Sequence, residues 1–314
     1  MKKIIDFVAG NLRKLLYVIA VITAIIFISV SLFAINGMVL SDRETPVSGI
    51  TGHPASATDN GSAPVEIRLM AYNIAKGFIH KGGLKFEDPD IMNARINSIA
   101  EIVNREQPDL LFLSEAVFEC GLCPVNQIKS LAEKTGMYMW AFGENYNFGL
   151  PFFRIVGGNA VLSRLPLDLK DNPSLAGRKP FYVTKNNRRV LWCSAEIAKQ
   201  RILLASVHND SFSLKNNLLQ TRQILKYAGN QPAIFAGDFN ARPDEPPIKL
   251  IRSTGRFQAV FDGPLTFPAK KPAQKIDFIF VPADWKLINH RVIQTNVSDH
   301  RPVVSIFRLP DAGI

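Results

Sequence analysis

The 314-residue chain is 47% hydrophobic and 20% charged, with 37 Lys and Arg against 27 Asp and Glu for a formal net charge of +10. That apolar share excludes wholesale disorder, and three cysteines, Cys120, Cys123 and Cys193, exclude a disulfide-built scaffold. The surplus of bases favours anionic partners such as nucleic acid, phospholipid headgroups or phosphorylated small molecules, without choosing among them.

In chain order, residues 1–14 form a short basic segment with Lys2, Lys3, Arg13 and Lys14 against one acid, Asp6. Residues 15–35 run 21 positions without a charge. A helix over them, at about 1.5 Å per residue, matches the hydrocarbon thickness of a bilayer. A transmembrane anchor is favoured over a cleaved signal peptide, whose apolar stretch is shorter and ends at a small-x-small site. Beyond it, Arg43 is the only base before residue 66. The positive-inside rule therefore places the N-terminus in the cytoplasm and the rest of the chain outside it, in a periplasmic or extracellular setting. Residues 36–64, rich in Ser, Thr, Gly, Pro and Ala, are expected to be a flexible linker. Globular patterning then holds over residues 65–310. Five bases and four acids precede residue 66, so the following part carries +9.

Within this domain VEIRLMAYN alternates and predicts a strand. Residues 91–106 show helical spacing closed by Pro108, DLLFLSE predicts a buried strand, and VNQIKSLAEKTG predicts a helix ending at Gly136. Strands follow over GGNAVLS, RRVLWCSAEI and RILLASVH, then a helix over LKNNLLQTRQILKYAG, then strands over QPAIFAGDF, QKIDFIFV and PVVSIFRL. The aromatic segment Tyr138 to Phe153 has two readings: a loop that stacks bases or dips into a bilayer, and a buried strand with its turn. Such a mixture predicts an α+β sandwich with a site on its loops.

Six stretches repeat one design, an apolar strand ending in carboxylate, amide or imidazole side chains. They are AYNIAKG with Asn73, LLFLSE with Glu115, ASVHND with His208, IFAGDFN with Asp238 and Asn240, KIDFIFV with Asp277, and VSDHRP with Asp299 and His300. Strand ends hold side chains with little freedom, as a preorganised site requires. The hard oxygen donors suit Mg²⁺, and the set lacks the thiols and most of the imidazoles of a structural zinc site.

In this order, together with QPDLLFLSE, GGNAVLSRLPL, AGDFNARPDE, TFPAKKPAQKIDFIFV and SDHRPVV, the segments resemble the endonuclease/exonuclease/phosphatase superfamily, the DNase I-like fold. The resemblance covers residues 65–310 and implies a four-layer αββα sandwich and Mg²⁺-dependent hydrolysis of phosphate esters, with Mn²⁺ or Ca²⁺ as substitutes. It implies a metal set of Asn73, Glu115 and Asp299. Asp238 and Asn240 would position the attacking water and contact the scissile phosphate, with Asp238 acting as base or as orienting group. His208 would bind a phosphate oxygen, with protonation of the leaving group as a second role, and His300, oriented by Asp277, would be the acid/base histidine. Asn159 in GGNAVLSR is a candidate phosphate contact, with packing as the competing reading.

The leading expectation is a membrane-anchored, monomeric phosphodiester hydrolase acting on DNA or RNA outside the cytoplasm. Hydrolysis of phospholipid, phosphoinositide or small phosphate esters is the alternative, and a catalytically silent tethered binding module is the alternative of another class. Cys120 and Cys123 form a C-x-x-C after Glu115. In an oxidising compartment a local disulfide is the favoured reading, with free thiols the other.

Overall fold

The strand Leu110–Cys120 shows how this sequence makes layers. Leu110 and Phe112 enter one apolar cluster while Leu111 and Leu113 enter another, as the two-residue period dictates for a strand buried on both faces. The same division recurs in Ala233–Asp238, where Ile234 and Ala236 share the first cluster and Ala233 and Phe235 face a third. The structure, a computed structural model, describes residues 1–35, 45–51, 66–82, 85–150, 153–177 and 188–310.

The helices are α1 (Lys2–Ile35), α2 (Pro89–Glu106), α3 (Gln127–Thr135), α4 (Leu214–Ala228) and α5 (Pro246–Ser253). The strands are β1 (Val47–Ile50), β2 (Glu66–Asn73), β3 (His80–Gly82), β4 (Lys85–Phe86), β5 (Leu110–Cys120), β6 (Met139–Leu150), β7 (Phe153–Ser163) and β8 (Asp168–Asp171), then β9 (Leu191–Ile197), β10 (Gln200–His208), β11 (Ala233–Asp238), β12 (Phe257–Gln258), β13 (Asp277–Pro282), β14 (Lys286–Val292) and β15 (Val303–Arg308). One sheet runs β1-β6-β7-β5-β2-β15-β14, a second runs β12-β13-β11-β10-β9-β8, and β3-β4 form a small ribbon.

The two large sheets pack through Ile67, Leu69, Phe112, Val161, Leu204, Ile234 and Ile279. Ile96, Ile99 and Val103 of α2 and Ile128 and Leu131 of α3 cover the outer face of the first sheet. Ile224 of α4 and Ile248 and Ile251 of α5 cover the second. The result is a mixed α+β sandwich layered helix, sheet, sheet, helix. Buried hydroxyls pin the sheets together: Ser114 Oγ donates to the Val207 carbonyl at 3.0 Å and Ser206 Oγ to the Leu113 carbonyl at 3.1 Å.

Four expectations meet the structure here. Within 36–64, Val47–Ile50 is not free chain. It adds an antiparallel edge strand to β6, with Gly49 opposite Trp140, and the Thr51 N–H donates to the Tyr138 carbonyl at 3.0 Å. Gly49 is required because a Cβ there would lie 2.4 Å from the Trp140 ring. The rest of that linker lies outside the described residues, apart from residues 45, 46 and 51. The aromatic segment is largely buried strand, β6 running into β7, with Trp140, Phe142 and Tyr146 inside. All three cysteines are buried free thiols, so the favoured Cys120–Cys123 disulfide is not formed; both side chains pack as small hydrophobes in the cluster under α2 and α3. Finally, Ala9–Leu32 of α1 is long and apolar enough to cross a membrane, a measure that a signal sequence also meets.

Candidate active site

Strand register sets out the first row of the site. His208 ends β10, Asp238 ends β11 and Asp277 begins β13, and the ladders pair His208 with Asp238 and Asp238 with Asp277. Three functional side chains thus stand side by side at one edge of the second sheet. Gly237 makes this possible. Its φ is +139°, and a Cβ there would lie 2.1 Å from the Val207 carbonyl oxygen, so only glycine lets β11 approach β10 with this backbone.

The first sheet supplies the facing row. Asn73 ends β2 opposite Ser114. An irregularity in the β5–β7 ladder between Leu113 and Ala116 leaves Glu115 with φ +55°, a left-handed conformation that re-aims its side chain. His300 lies in the turn before β15, held by its N–H to Ser298 Oγ at 3.3 Å, while Ser298 Oγ donates to the Asn73 carbonyl at 2.7 Å.

Asp238 is the centre. Its Oδ2 accepts from Asn73 Nδ2 at 3.0 Å and lies 3.6 Å from Nε2 of both His208 and His300, and its Oδ1 accepts from the Asn240 N–H at 2.9 Å. Asn73 Nδ2 also approaches Glu115 Oε1 at 3.5 Å and His300 Nε2 at 3.4 Å. Asp277 meets His300 Nδ1 at 3.0 Å, which fixes the ring and leaves Nε2 toward Asp238. His208 Nε2 is 3.7 Å from Glu115 Oε1.

Charge follows from burial and neighbours. Burial, reinforced by the Asp277 charge, raises the Asp238 carboxyl well above the ordinary range, with His300 opposing. Burial alone would lower His300, but Asp277, Asp238 and Asp299 outweigh it and hold the ring as imidazolium. His208 goes the other way: burial, then the Arg188 charge, lower it, so it stands neutral. Burial would raise Glu115, yet the cationic side chains around it, Lys76 and Arg188 among them, outweigh burial and bring it down to about 2. Two imidazoles of opposite charge state therefore flank one carboxyl.

The expected metal set is only partly assembled as expected. Asn73 presents its amide nitrogen to the carboxylates, while its Oδ1 accepts from the Ala75 N–H at 3.0 Å. Asp299 is exposed, with its Oδ1 3.3 Å from the Ser298 hydroxyl oxygen. Among the described residues, the potential ligand atoms within 4.8 Å of one another belong to Asp238, Asp277 and His300, all buried. In that trio His300 Nδ1 is already committed to Asp277, and Nε2 stands 3.6 Å from Asp238 Oδ2. Glu115 is ionised and already carries a cation, the Lys76 ammonium.

Asn159 is not brought to the cluster. It is fully buried, and its Nδ2 donates to the Arg189 and Ser206 carbonyls at 3.1 and 3.2 Å, tying the sheets together. Asn240 stands beside Asp238, with its Nδ2 on the Asn209 carbonyl at 3.0 Å and φ +46°.

Two cations escape sequence reading. Arg188 Nη1 lies 2.8 Å from both ring nitrogens of His208, and Nη2 donates to Ser211 Oγ at 3.3 Å. Lys76 closes on Glu115 from the opposite side. The signals were present, a base two residues after Ile74 and the NNRR run before a strand, but bases in such places read as solvated surface.

The profile of the Endonuclease/Exonuclease/phosphatase family matches residues 70–300. Among solved structures, the human Nocturnin catalytic domain with bound sulfate superposes with a TM-score of 0.57 at 17% identity, over 86% of this chain and 100% of that one. The mannosyl-6-phosphatase Bt3783 of Bacteroides thetaiotaomicron gives 0.56 at 17% identity, over 77% and 99%. Humanised Danio rerio TDP2 gives 0.55 at 15%, over 77% and 99%. A search of curated proteins finds no match. With the family profile spanning most of the sandwich and the solved structures sharing its fold, this chain belongs to the endonuclease/exonuclease/phosphatase family.

Proposed function

We propose that the protein is a divalent-cation-dependent phosphodiester hydrolase acting on nucleic acid, with its domain held outside the cytoplasm by α1 as a membrane anchor. The observation that carries the reaction class is the Asp238 carboxyl, buried, raised toward neutrality and within 3.6 Å of one neutral and one charged imidazole. A carboxylate so tuned takes a proton from water near pH 7, which an ordinary aspartate does poorly. Neutral His208, backed by Arg188, offers an N–H to a phosphate oxygen. The His300 imidazolium, held by Asp277, faces charge developing on the leaving group. Glu115 would hold the divalent cation, which when bound offsets the charge of the phosphate. The +9 borne by residues 66–314 favours a polyanion as substrate.

The test uses the full-length protein in detergent. With Mg²⁺ it should nick plasmid DNA or cleave RNA, and EDTA should abolish cleavage. Turnover of phosphoinositide vesicles, sphingomyelin or sugar phosphates with every nucleic acid left intact would overturn the substrate class. The name of the sugar-phosphatase neighbour makes those substrates the right controls.

The electrostatics also predict a pH profile. Activity should rise as Asp238 loses its proton, at a pH above the ordinary carboxylate range, and fall as His300 loses its own, above the ordinary imidazole range. Asp277 raises both groups, so Asp277→Asn should move both limbs of the kcat/KM profile to lower pH. An unmoved alkaline limb would exclude His300 as the acid.

A further inference from the structure

The segment after β2 is strained for a purpose the reaction has not yet used. Ala75, Lys76, Gly77 and Phe78 have φ of +46°, +55°, +58° and +53°, four consecutive left-handed residues of which one is glycine. Such a conformation is unfavourable for each non-glycine residue and persists only where surrounding structure enforces it. Here the enforcement is visible. Gln127, fully buried on α3, donates to the Lys76 carbonyl at 2.7 Å and accepts from the Val117 N–H at 2.8 Å, bracing the turn against the strand that carries Glu115. Arg95 holds the Gly77 and Phe78 carbonyls at 3.1 and 3.3 Å, and the Gly77 N–H closes on the Ile74 carbonyl at 2.7 Å. The product of this bracing is one ion pair, Lys76 Nζ on Glu115 Oε2, with the ammonium 5.9 Å from the centre of the Tyr146 ring. The Lys76 side chain keeps 38% of its exposure, so it has room to leave.

We propose that Lys76 is a built-in stand-in cation: it neutralises Glu115 while the site is empty, yields that carboxylate to an entering divalent cation, and then turns its ammonium to the substrate phosphate. This rests on the reading of Glu115 as the metal carboxylate. A strained turn braced by two side chains from other elements is more than a surface ion pair requires, since exposed pairs contribute little to stability. The exchange couples the two ligands. Phosphate offers the displaced ammonium a new partner, so each ligand strengthens the binding of the other, as linkage demands. It also spares Glu115 from standing as an uncompensated, largely buried charge between turnovers.

Isothermal titration of the full-length protein in detergent with Mn²⁺, with and without inorganic phosphate, tests this without relying on turnover. Lys76→Met should bind Mn²⁺ more tightly than wild type in the absence of phosphate, by at least about fivefold, the lower end of ordinary coupling between sites. Phosphate should tighten Mn²⁺ binding to wild type clearly more than to Lys76→Met, where only the direct attraction of cation and phosphate remains. Lys76→Arg, which keeps the charge, should retain the coupling, and circular dichroism melting shows whether each variant is folded. Equal Mn²⁺ affinity in wild type and Lys76→Met, or coupling of the same size in both, overturns the exchange while leaving the hydrolase reading intact. If Glu115→Gln binds Mn²⁺ as wild type does, the placement of the cation fails, and the exchange with it.

Discussion

Asp238→Asn is expected to lower kcat by about 10²–10⁴-fold, the range associated with a positioned general acid or base, while leaving the fold intact. The substitution is nearly isosteric, and its Oδ1 can still accept from the Asn240 N–H, the contact that shapes the turn after β11. It removes a carboxyl whose ionised form is costly to bury but sets an amide N–H against the Asn73 donor, so the melting temperature should fall modestly while the protein stays folded. Catalysis responds differently, because the amide cannot take a proton from water and presents an N–H where Asn73 Nδ2 now donates at 3.0 Å. Steady-state kinetics beside a thermal melt separate the two effects. Activity within tenfold of wild type would remove Asp238 from the chemistry.

Gly237→Ala should be among the most damaging small substitutions in the domain, costing about 2–5 kcal/mol from backbone strain and overpacking combined. The added Cβ would meet the Val207 carbonyl oxygen, and at φ +139° the backbone has no relaxed alternative for a side chain. That carbonyl is also the acceptor of Ser114 Oγ, one of the bonds joining the sheets. Pushing it away loosens the sandwich at the point where His208 and Asp238 stand as ladder partners. Stability by urea titration and kcat should therefore fall together. A loss below about 1 kcal/mol would mean that β11 shifts more easily than core packing allows.

Much of this arrangement was legible because the informative strands are continuous apolar runs with polar residues only at their ends. In LLFLSE, ASVHND, IFAGDFN and KIDFIFV the change from apolar to polar marks the sheet edge, and Glu115, His208, Asp238 and Asp277 do gather there. What escaped reading had no such contrast. Strand β14 is exposed or half-buried throughout, so its sequence KLINHRV carries no alternation. Helix α5 is short and opens on two prolines, which read as a turn. Asn159 sits in an apolar strand, and sequence could not distinguish an amide that ties two sheets together from one that reaches a ligand. Lys76 and Arg188 look like ordinary surface bases until the backbone turns them inward, and the left-handed turn that directs Lys76 depends on Gln127 and Arg95 from other elements.

The docking of β1 on β6 has a consequence for search. Eleven residues separate Ile35, where α1 ends, from Val47, where β1 begins. Fully extended, they span at most about 40 Å. With α1 in a bilayer, the sandwich is on a short leash and hangs by a fixed corner, not by a long floating cord. In that placement substrate in bulk solution would have to arrive within roughly one domain's breadth of the membrane, whereas anything gathered on that surface would be met by lateral diffusion.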